Sequence, residues 1–380
     1  MPSTATARRV FITVAEVSGD LHAAQLILEL KRLDPALIIE GIGGPRMRDA
    51  GCIVHHETVR SAAIGLGAIK RLPEVIRLLR WTRRWFQKHK PDLQICCDSW
   101  GLNSYFAKLA RIFEVPVLYY IAPQTWASRE GRVKKIRRWV DQLACILPFE
   151  EAYFRKHGVN ATFVGHPLFD ELPPRRPRVS AVTFTPDRPP IVGLLPGSRR
   201  GGAKKSFPAM LAVADQLKEK FPGIRFLVPT TPGTDPIVRE LIAGRTDIEL
   251  SLDAFDQVVP RCDLCLTVSG TATLHVAGHG VPMVVVFRDS AFLWHTIGRW
   301  VIRTRTFALV NLLSGLDQHI VPEYVPWTGP IDGVANTIES LLTHPDQRDT
   351  QTAALAKLIG ALDKKGASAN VARLAMEMMA

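Results

Sequence analysis

The feature that most constrains this chain is an alternation of short apolar, β-branched runs with longer amphipathic stretches, broken once and then resumed. Residues 11–15, 37–42, 93–97, 117–121, 143–147 and 161–164 have the length and composition of buried strands. Helical patterns lie between them, as at 72–87 and 102–113. Strands joined through helices pair in parallel, so the pattern predicts a doubly wound α/β sheet. The series then stops. Pro173, Pro174, Pro177, Pro186, Pro189 and Pro190 fall close together, with Arg175, Arg176 and Arg178 among them. Proline removes backbone donors, so residues 173–190 are expected to form an exposed linker. The pattern restarts at 191–195 and continues through 225–228, 248–250, 264–268 and 281–287, before a helical stretch at 334–379. The expected organisation is two Rossmann-like domains, 1–172 and 191–335, facing a cleft, with C-terminal helices at 336–380 that cross back to the first domain or to a partner.

The chain is 47% hydrophobic and 22% charged, the balance of a folded protein, which excludes global disorder. No apolar run approaches the ~20 residues of a membrane-spanning helix. Residues 1–9 lack the apolar core of a secretory signal, so a cytoplasmic location is expected. The 48 Lys and Arg against 36 Asp and Glu leave a formal charge of +12, which suits an anionic partner. Part of that charge sits at 70–90, where Arg80 and Arg84 interleave with Trp81 and Trp85. Such a basic, tryptophan-bearing amphipathic helix suits an anionic membrane surface, and equally an ordinary core stripe with solvated cations. Six of the ten residues 129–138 are also basic. No aromatic platform or recognised module accompanies them, so nucleic acid is not an expected partner. Cys96, Cys97, Cys262 and Cys265 lack a second pair at zinc-ribbon spacing and are expected as buried thiols.

Three strand ends carry glycine-bearing polar turns: Glu16, Ser18, Gly19 and Asp20; Gly197, Ser198 and Arg199; Ser269, Gly270, Thr271 and Ala272. Glycine permits close backbone approach, and a following helix offers free N–H groups to a phosphate or sugar hydroxyl. The same residues also serve as plain helix caps. Neither a Walker loop nor a G-x-G-x-x-G is present. Asp98 directly follows a strand, where a carboxylate can take a proton from a hydroxyl or cap the next helix. His275 and His279 are spaced i, i+4, but without the Glu of H-E-x-x-H, so hydrogen bonding or packing is expected rather than a metal. His22 and His166 also lie near turns.

Taken in order, these motifs resemble the lipid-A-disaccharide synthase family of GT-B glycosyltransferases. The resemblance rests on Glu16-x-Ser18-Gly19-Asp20; Gly44-Pro45-Arg46-Met47; Pro123 through Trp126; Leu147-Pro148-Phe149-Glu150; Gly165-His166-Pro167; Leu195 through Arg199; Ser269 through Ala272; and Asn311-Leu312-Leu313. It implies an inverting transfer from UDP-2,3-diacylglucosamine to 2,3-diacylglucosamine 1-phosphate, with UDP released and neither metal nor cofactor. Asp98 stands at the family's catalytic position. The resemblance assigns the donor to Gly197, Ser198, Arg199, Ser269, Gly270, Thr271, Ala272, His275, Arg288 and Asn311, and an acceptor-side loop to Glu16, Ser18, Gly19 and Asp20. It further implies peripheral attachment to the inner membrane through the Trp81 and Trp85 helix, and a homodimer that exchanges C-terminal segments. The chain departs from the family pattern at Ser99-Trp100-Gly101-Leu102-Asn103, at Gly202, at residues 64–69 and at His275, where the family has Glu. These departures keep two other readings open: a divergent paralogue with another sugar or acceptor, and a non-catalytic nucleotide-sugar or lipid-binding protein.

Overall fold

The computed structural model describes residues 8–58, 72–126, 130–172, 183–185, 187–288, 306–315, 319–362 and 365–380. Most of the expected linker, 173–182 and residue 186, lies outside them. The chain forms two compact units, residues 1–171 with 363–380, and residues 172–362.

The first unit contains β1 (Arg9–Val14), α1 (Val17–Leu33), β2 (Ile38–Gly43), α2 (Pro45–Asp49), β3 (Ile53–Glu57), α3 (Leu72–His89), β4 (Leu93–Cys97), α4 (Trp100–Ile112), β5 (Val117–Tyr120), α5 (Val133–Trp139), β6 (Gln142–Cys145), α6 (Pro148–Lys156), β7 (Ala161–Phe163) and α7 (Leu168–Glu171). Its sheet is parallel, in the order β3-β2-β1-β4-β5-β6-β7. Side chains alternate across the strands. Val10, Ile12 and Val14 join Leu93, Ile95 and Cys97 in one core layer, while Phe11 and Cys96 lie in the other.

The second unit runs β8 (Ile191–Leu195), α8 (Arg200–Lys220), β9 (Arg225–Thr230), α9 (Asp235–Leu241), β10 (Ile248–Leu252), α10 (Phe255–Val258), β11 (Leu264–Val268), α11 (Thr271–Gly278), β12 (Met283–Val286), α12 (Leu309–Ser314), β13 (Glu323–Tyr324), α13 (Asp332–Thr343) and α14 (Pro345–Leu362). Its sheet is also parallel, ordered β10-β9-β8-β11-β12-β13. The expected pair of doubly wound sheets is therefore present. All six cysteines are buried and free.

The last helix, α15 (Ala367–Met378), belongs to the first unit. Val371, Ala372 and Ala375 bury against the layer that holds Leu26, Ile27 and Leu30 of α1. Asp170 caps its start, accepting N–H bonds from Gly366 at 2.6 Å, Ala367 at 3.2 Å and Ser368 at 3.2 Å. A carboxylate at a helix N-terminus satisfies orphan donors and complements the dipole.

The expectation for α3 needs correction. Its tryptophans do not form a membrane-inserting face. Trp85 is 8% exposed and belongs to the core layer around Phe11, whose ring lies 4.6 Å from it. Trp81 packs on His55 and His56 of β3, with ring centroids 4.9 and 4.6 Å apart. The apolar stripe therefore faces the sheet, where Phe11 of β1 and the histidines of β3 meet the indole rings. Arg80 and Arg84 lie on the outer face with Arg77, Arg83 and Lys88, all exposed. No described helix is long and apolar enough to cross a membrane.

Candidate functional site

In open α/β sheets, ligands bind beyond the carboxyl ends of the strands where the strand order reverses. The first sheet reverses between β1 and β4, and the second between β8 and β11. The turns singled out from sequence follow these four strands.

In the first unit, Asp98 follows β4 with φ +57°, and Ser99 follows with φ +42°. Two successive left-handed non-glycine residues cost of order 1–3 kcal/mol each and persist only when surrounding bonds over-determine them. Here the Tyr119 hydroxyl donates to the Asp98 carbonyl at 2.7 Å. Asn103 Nδ2 donates to the same carbonyl at 2.8 Å and to that of Cys97 at 2.9 Å. Asn103 Oδ1 accepts from Thr13 Oγ1 at 2.8 Å, and Thr13 in turn accepts from Gln94 Nε2 at 3.0 Å. Burial pushes the Tyr119 phenol well above its ordinary range, so it stays a donor. The half-buried Asp98 carboxylate accepts from the Ser99 amide at 2.6 Å and the Ser18 hydroxyl at 3.2 Å. Gly19 keeps α1 close to β1, because a Cβ there would stand 3.0 Å from Val14 Cγ1. Glu16 is the residue before α1. Asp20 turns inward. It is 1% exposed and accepts N–H bonds from Gly44, Arg46 and Met47 at 3.0 to 3.2 Å, so it fixes the start of α2 rather than facing a ligand.

In the second unit, Gly197 has φ +87°, and a Cβ there would fall 2.8 Å from Val268 Cγ2. The two strand ends meet closely only because it is glycine. Ser198 and Arg199 are exposed just before α8. Beside them, Gly270 (φ +149°) precedes α11, and Ser269 Oγ donates to the Phe307 carbonyl at 2.7 Å. Thr271 is exposed and Ala272 half-buried in the first turn of α11. Two helix N-termini thus flank one switch point, an arrangement suited to anionic groups.

Asn311 is fully buried. Its Nδ2 donates to the Val321 carbonyl at 2.9 Å and Glu323 Oε2 at 3.0 Å, and its Oδ1 accepts from the Val321 amide at 3.0 Å. It therefore shapes the backbone around α12 and leaves no amide group for a ligand. Arg288 follows β12 with its guanidinium 5.4 Å from the centre of the Trp327 ring. His275 lies one turn into α11, bonded through Nε2 to Asp256 Oδ1 at 2.7 Å and stacked on Phe255 at 4.2 Å. His279 Nε2 reaches the same oxygen at 2.7 Å. Burial pulls His275 below its ordinary pKa despite the neighbouring carboxylate. Burial raises the Asp256 carboxyl, but the bonds from His279 and His275 outweigh it and the net shift is downward. Asp256 and Tyr119 were not singled out from sequence, because each acts on a residue remote in the chain.

The family model for lipid-A-disaccharide synthetase matches residues 10–375. A lipid-A-disaccharide synthase of Geobacter sulfurreducens is 38% identical over 380 residues, covering 98% of each chain. Among solved structures, a putative UDP-N-acetylglucosamine 2-epimerase of Listeria monocytogenes has a TM-score of 0.65 at 13% identity, covering 98% of this chain and 96% of its own. The glycosyltransferase of kitacinnamycin has a TM-score of 0.59 at 14% identity, covering 98% and 99%. These structural likenesses bear out the GT-B fold, and the sequence match bears out the resemblance. Two parallel sheets with glycine-bearing turns at both switch points, together with a match along nearly the whole chain, give one conclusion: the chain belongs to the lipid-A-disaccharide synthase family.

Proposed function

We propose that this glycosyltransferase of lipid A synthesis joins UDP-2,3-diacylglucosamine to 2,3-diacylglucosamine 1-phosphate, with Asp98 as the general base. The observation that carries the reading is the Asp98 carboxylate, held half-exposed at a switch point by a backbone that three side-chain bonds lock in place, and itself accepting from Ser18. In the reaction the acceptor hydroxyl gives its proton to Asp98, and its oxygen attacks the anomeric carbon. The bond from that carbon to the diphosphate breaks, its electron pair leaves with UDP, and the configuration inverts. The N-termini of α8 and α11, with Ser198, Arg199 and Thr271, stabilise the charge that develops on the diphosphate.

The acceptor phosphate and an anionic inner-membrane surface fit the exposed cations of α3. A homodimer that exchanges C-terminal segments is also part of the proposal: α15 docks through one apolar face and the Asp170 cap, contacts that a second copy's helix can supply equally. Sedimentation of the full chain tests this point.

The central experiment measures UDP release from the two acylated substrates. Wild type turns over, and Asp98→Ala loses on the order of 10²-fold or more in kcat, the usual scale for a lost base, while UDP affinity stays constant. Near-normal turnover of the variant would remove Asp98 from the chemistry. Arg199→Ala is expected to weaken UDP binding in calorimetry.

A further inference from the structure

We propose that Asp256, His275 and His279 form a binding site for a divalent transition-metal ion of the zinc class. The three side chains come from two places that chain order keeps apart, Asp256 from α10, and His275 and His279 from the last turn of α11 and the residue that caps it. Both imidazoles direct Nε2 at one carboxylate oxygen, each at 2.7 Å, and the three ligand atoms lie within 4.8 Å of one another. Among the described residues this is the one group of His, Cys, Asp and Glu with that convergence.

The geometry is that of a protonated stand-in for a metal site. Two ring N–H groups point where a cation would sit, and both donate to the one carboxylate oxygen. The i, i+4 spacing puts both rings on one side of α11, 5.4 Å apart and nearly parallel. Phe255 stacks on His275 and fixes its ring plane. Exposure grades across the site: the His279 side chain is 6% exposed, His275 25% and Asp256 53%. The site is thus rigid on its helix side and open on its carboxylate side, where water or an added group can complete the shell. Two imidazole nitrogens and one carboxylate suit zinc, cobalt or nickel, whereas magnesium and calcium favour all-oxygen shells. Metal binding at Nε2 moves each ring proton to Nδ1, with no net proton released from a neutral imidazole. An ion here would tie α10 to α11. This inference does not depend on the glycosyltransferase reading.

The test uses the full chain, stripped with a chelator and returned to chelator-free buffer. It is titrated with Co²⁺, following visible absorption, and with Zn²⁺ by calorimetry. One Co²⁺ per chain is expected, with visible d–d bands and no thiolate charge-transfer band, displaced by Zn²⁺ and indifferent to millimolar Mg²⁺. Asp256→Asn alters an exposed carboxylate and should leave the fold intact, which circular dichroism checks. It should weaken Co²⁺ binding by at least ~10²-fold, the upper end for losing even an outer-shell partner, and His275→Gln should do the same. A wild type without d–d bands at millimolar Co²⁺ overturns the proposal. So does an Asp256→Asn variant that binds as wild type does, since the ion would then sit elsewhere, for instance on Cys262 and Cys265.

Discussion

Replacing Gly197 with alanine should damage the second unit in two separable ways. At φ +87° an alanine pays the left-handed penalty, about 1–2 kcal/mol. Its Cβ would also stand 2.8 Å from Val268 Cγ2, an overlap that real side chains do not tolerate. Val268 is β-branched, so it has little rotamer freedom with which to retreat. Overpacking of this kind costs roughly 1–3 kcal/mol. The sum, about 2–5 kcal/mol, should lower the melting temperature of a unit this size by roughly 5–15 °C. Part of the strain will be relieved by moving the turn, which displaces Ser198, Arg199 and the start of α8. UDP affinity should therefore fall at least ~10-fold, since displacements near 1 Å are that costly where geometry matters. Scanning calorimetry and UDP titration read the two effects. Val268→Ala in the Gly197→Ala background should return the steric share and leave the backbone share, a coupling of about 1–3 kcal/mol. Gly360 supplies the contrast: it is exposed within α14 with nothing near its absent Cβ, so Gly360→Ala should stabilise by about 0.5–1 kcal/mol. A Gly197→Ala protein that melts and binds UDP as wild type does would refute the reasoning, as would strict additivity with Val268→Ala.

Tyr119→Phe removes one bond to the Asp98 carbonyl and leaves that of Asn103, so the fold should survive with a loss of about 1 kcal/mol. Turnover should drop about 10-fold, equivalent to ~1.4 kcal/mol of misplacement, with UDP affinity constant; an unchanged kcat would remove Tyr119 as a positioning residue. Burial pushes Glu150 up from an ordinary 4.5 to about 7, against hydrogen bonds from the Trp126 indole and the Leu147 amide. The folded state therefore holds this proton more tightly than the unfolded chain, and stability is full below about pH 4.5 and lost as pH rises to about 7. Relative to Glu150→Gln, wild type should lose about 3 kcal/mol across that window in denaturant titrations; parallel pH profiles would count against it. Neutralising Arg80 and Arg84 with glutamine should weaken association with anionic vesicles about 30-fold, at ~1 kcal/mol per cation. Trp85→Ser should instead cost about 3–5 kcal/mol of stability as a cavity in the core. Vesicle binding that follows Trp85 in a well-folded variant, and ignores the arginines, would reverse that assignment.

Much of the architecture was legible because central strands of parallel sheets are buried on both faces and leave unmistakable apolar runs. The edges were not. β3 carries His55, His56 and Glu57, and β13 is only two residues long. Their side chains are satisfied by distant groups, His55 by Glu40 and the Trp81 ring, so no local alternation marks them. The α3 stripe was visible as a stripe, but amphipathicity does not say which apolar medium a helix meets. Phe11 and the β3 histidines decide that, and they lie on other elements. Asp20 and Asn311 show the same limit at the site. Each sits in a motif with the composition of a ligand loop, yet each spends its polar atoms on the backbone of a neighbouring turn.

What did carry over from sequence to chemistry is explained by topology. Each sheet begins with the strand from which its order later reverses, β1 in the first and β8 in the second. Parallel pairing of β1 with β4, and of β8 with β11, then forces the loops after those strands to be neighbours however much chain separates them. Ser18 meets Asp98 across 80 residues for that reason. The two loop pairs differ in kind. The first brings the Ser18 hydroxyl against the Asp98 carboxylate. The second brings together Gly197, Ser198, Arg199, Ser269, Gly270 and Thr271, with donors and a cation but no carboxylate. In the proposed transfer the first pair supplies the carboxylate that takes the acceptor proton, and the second supplies donors to the departing diphosphate.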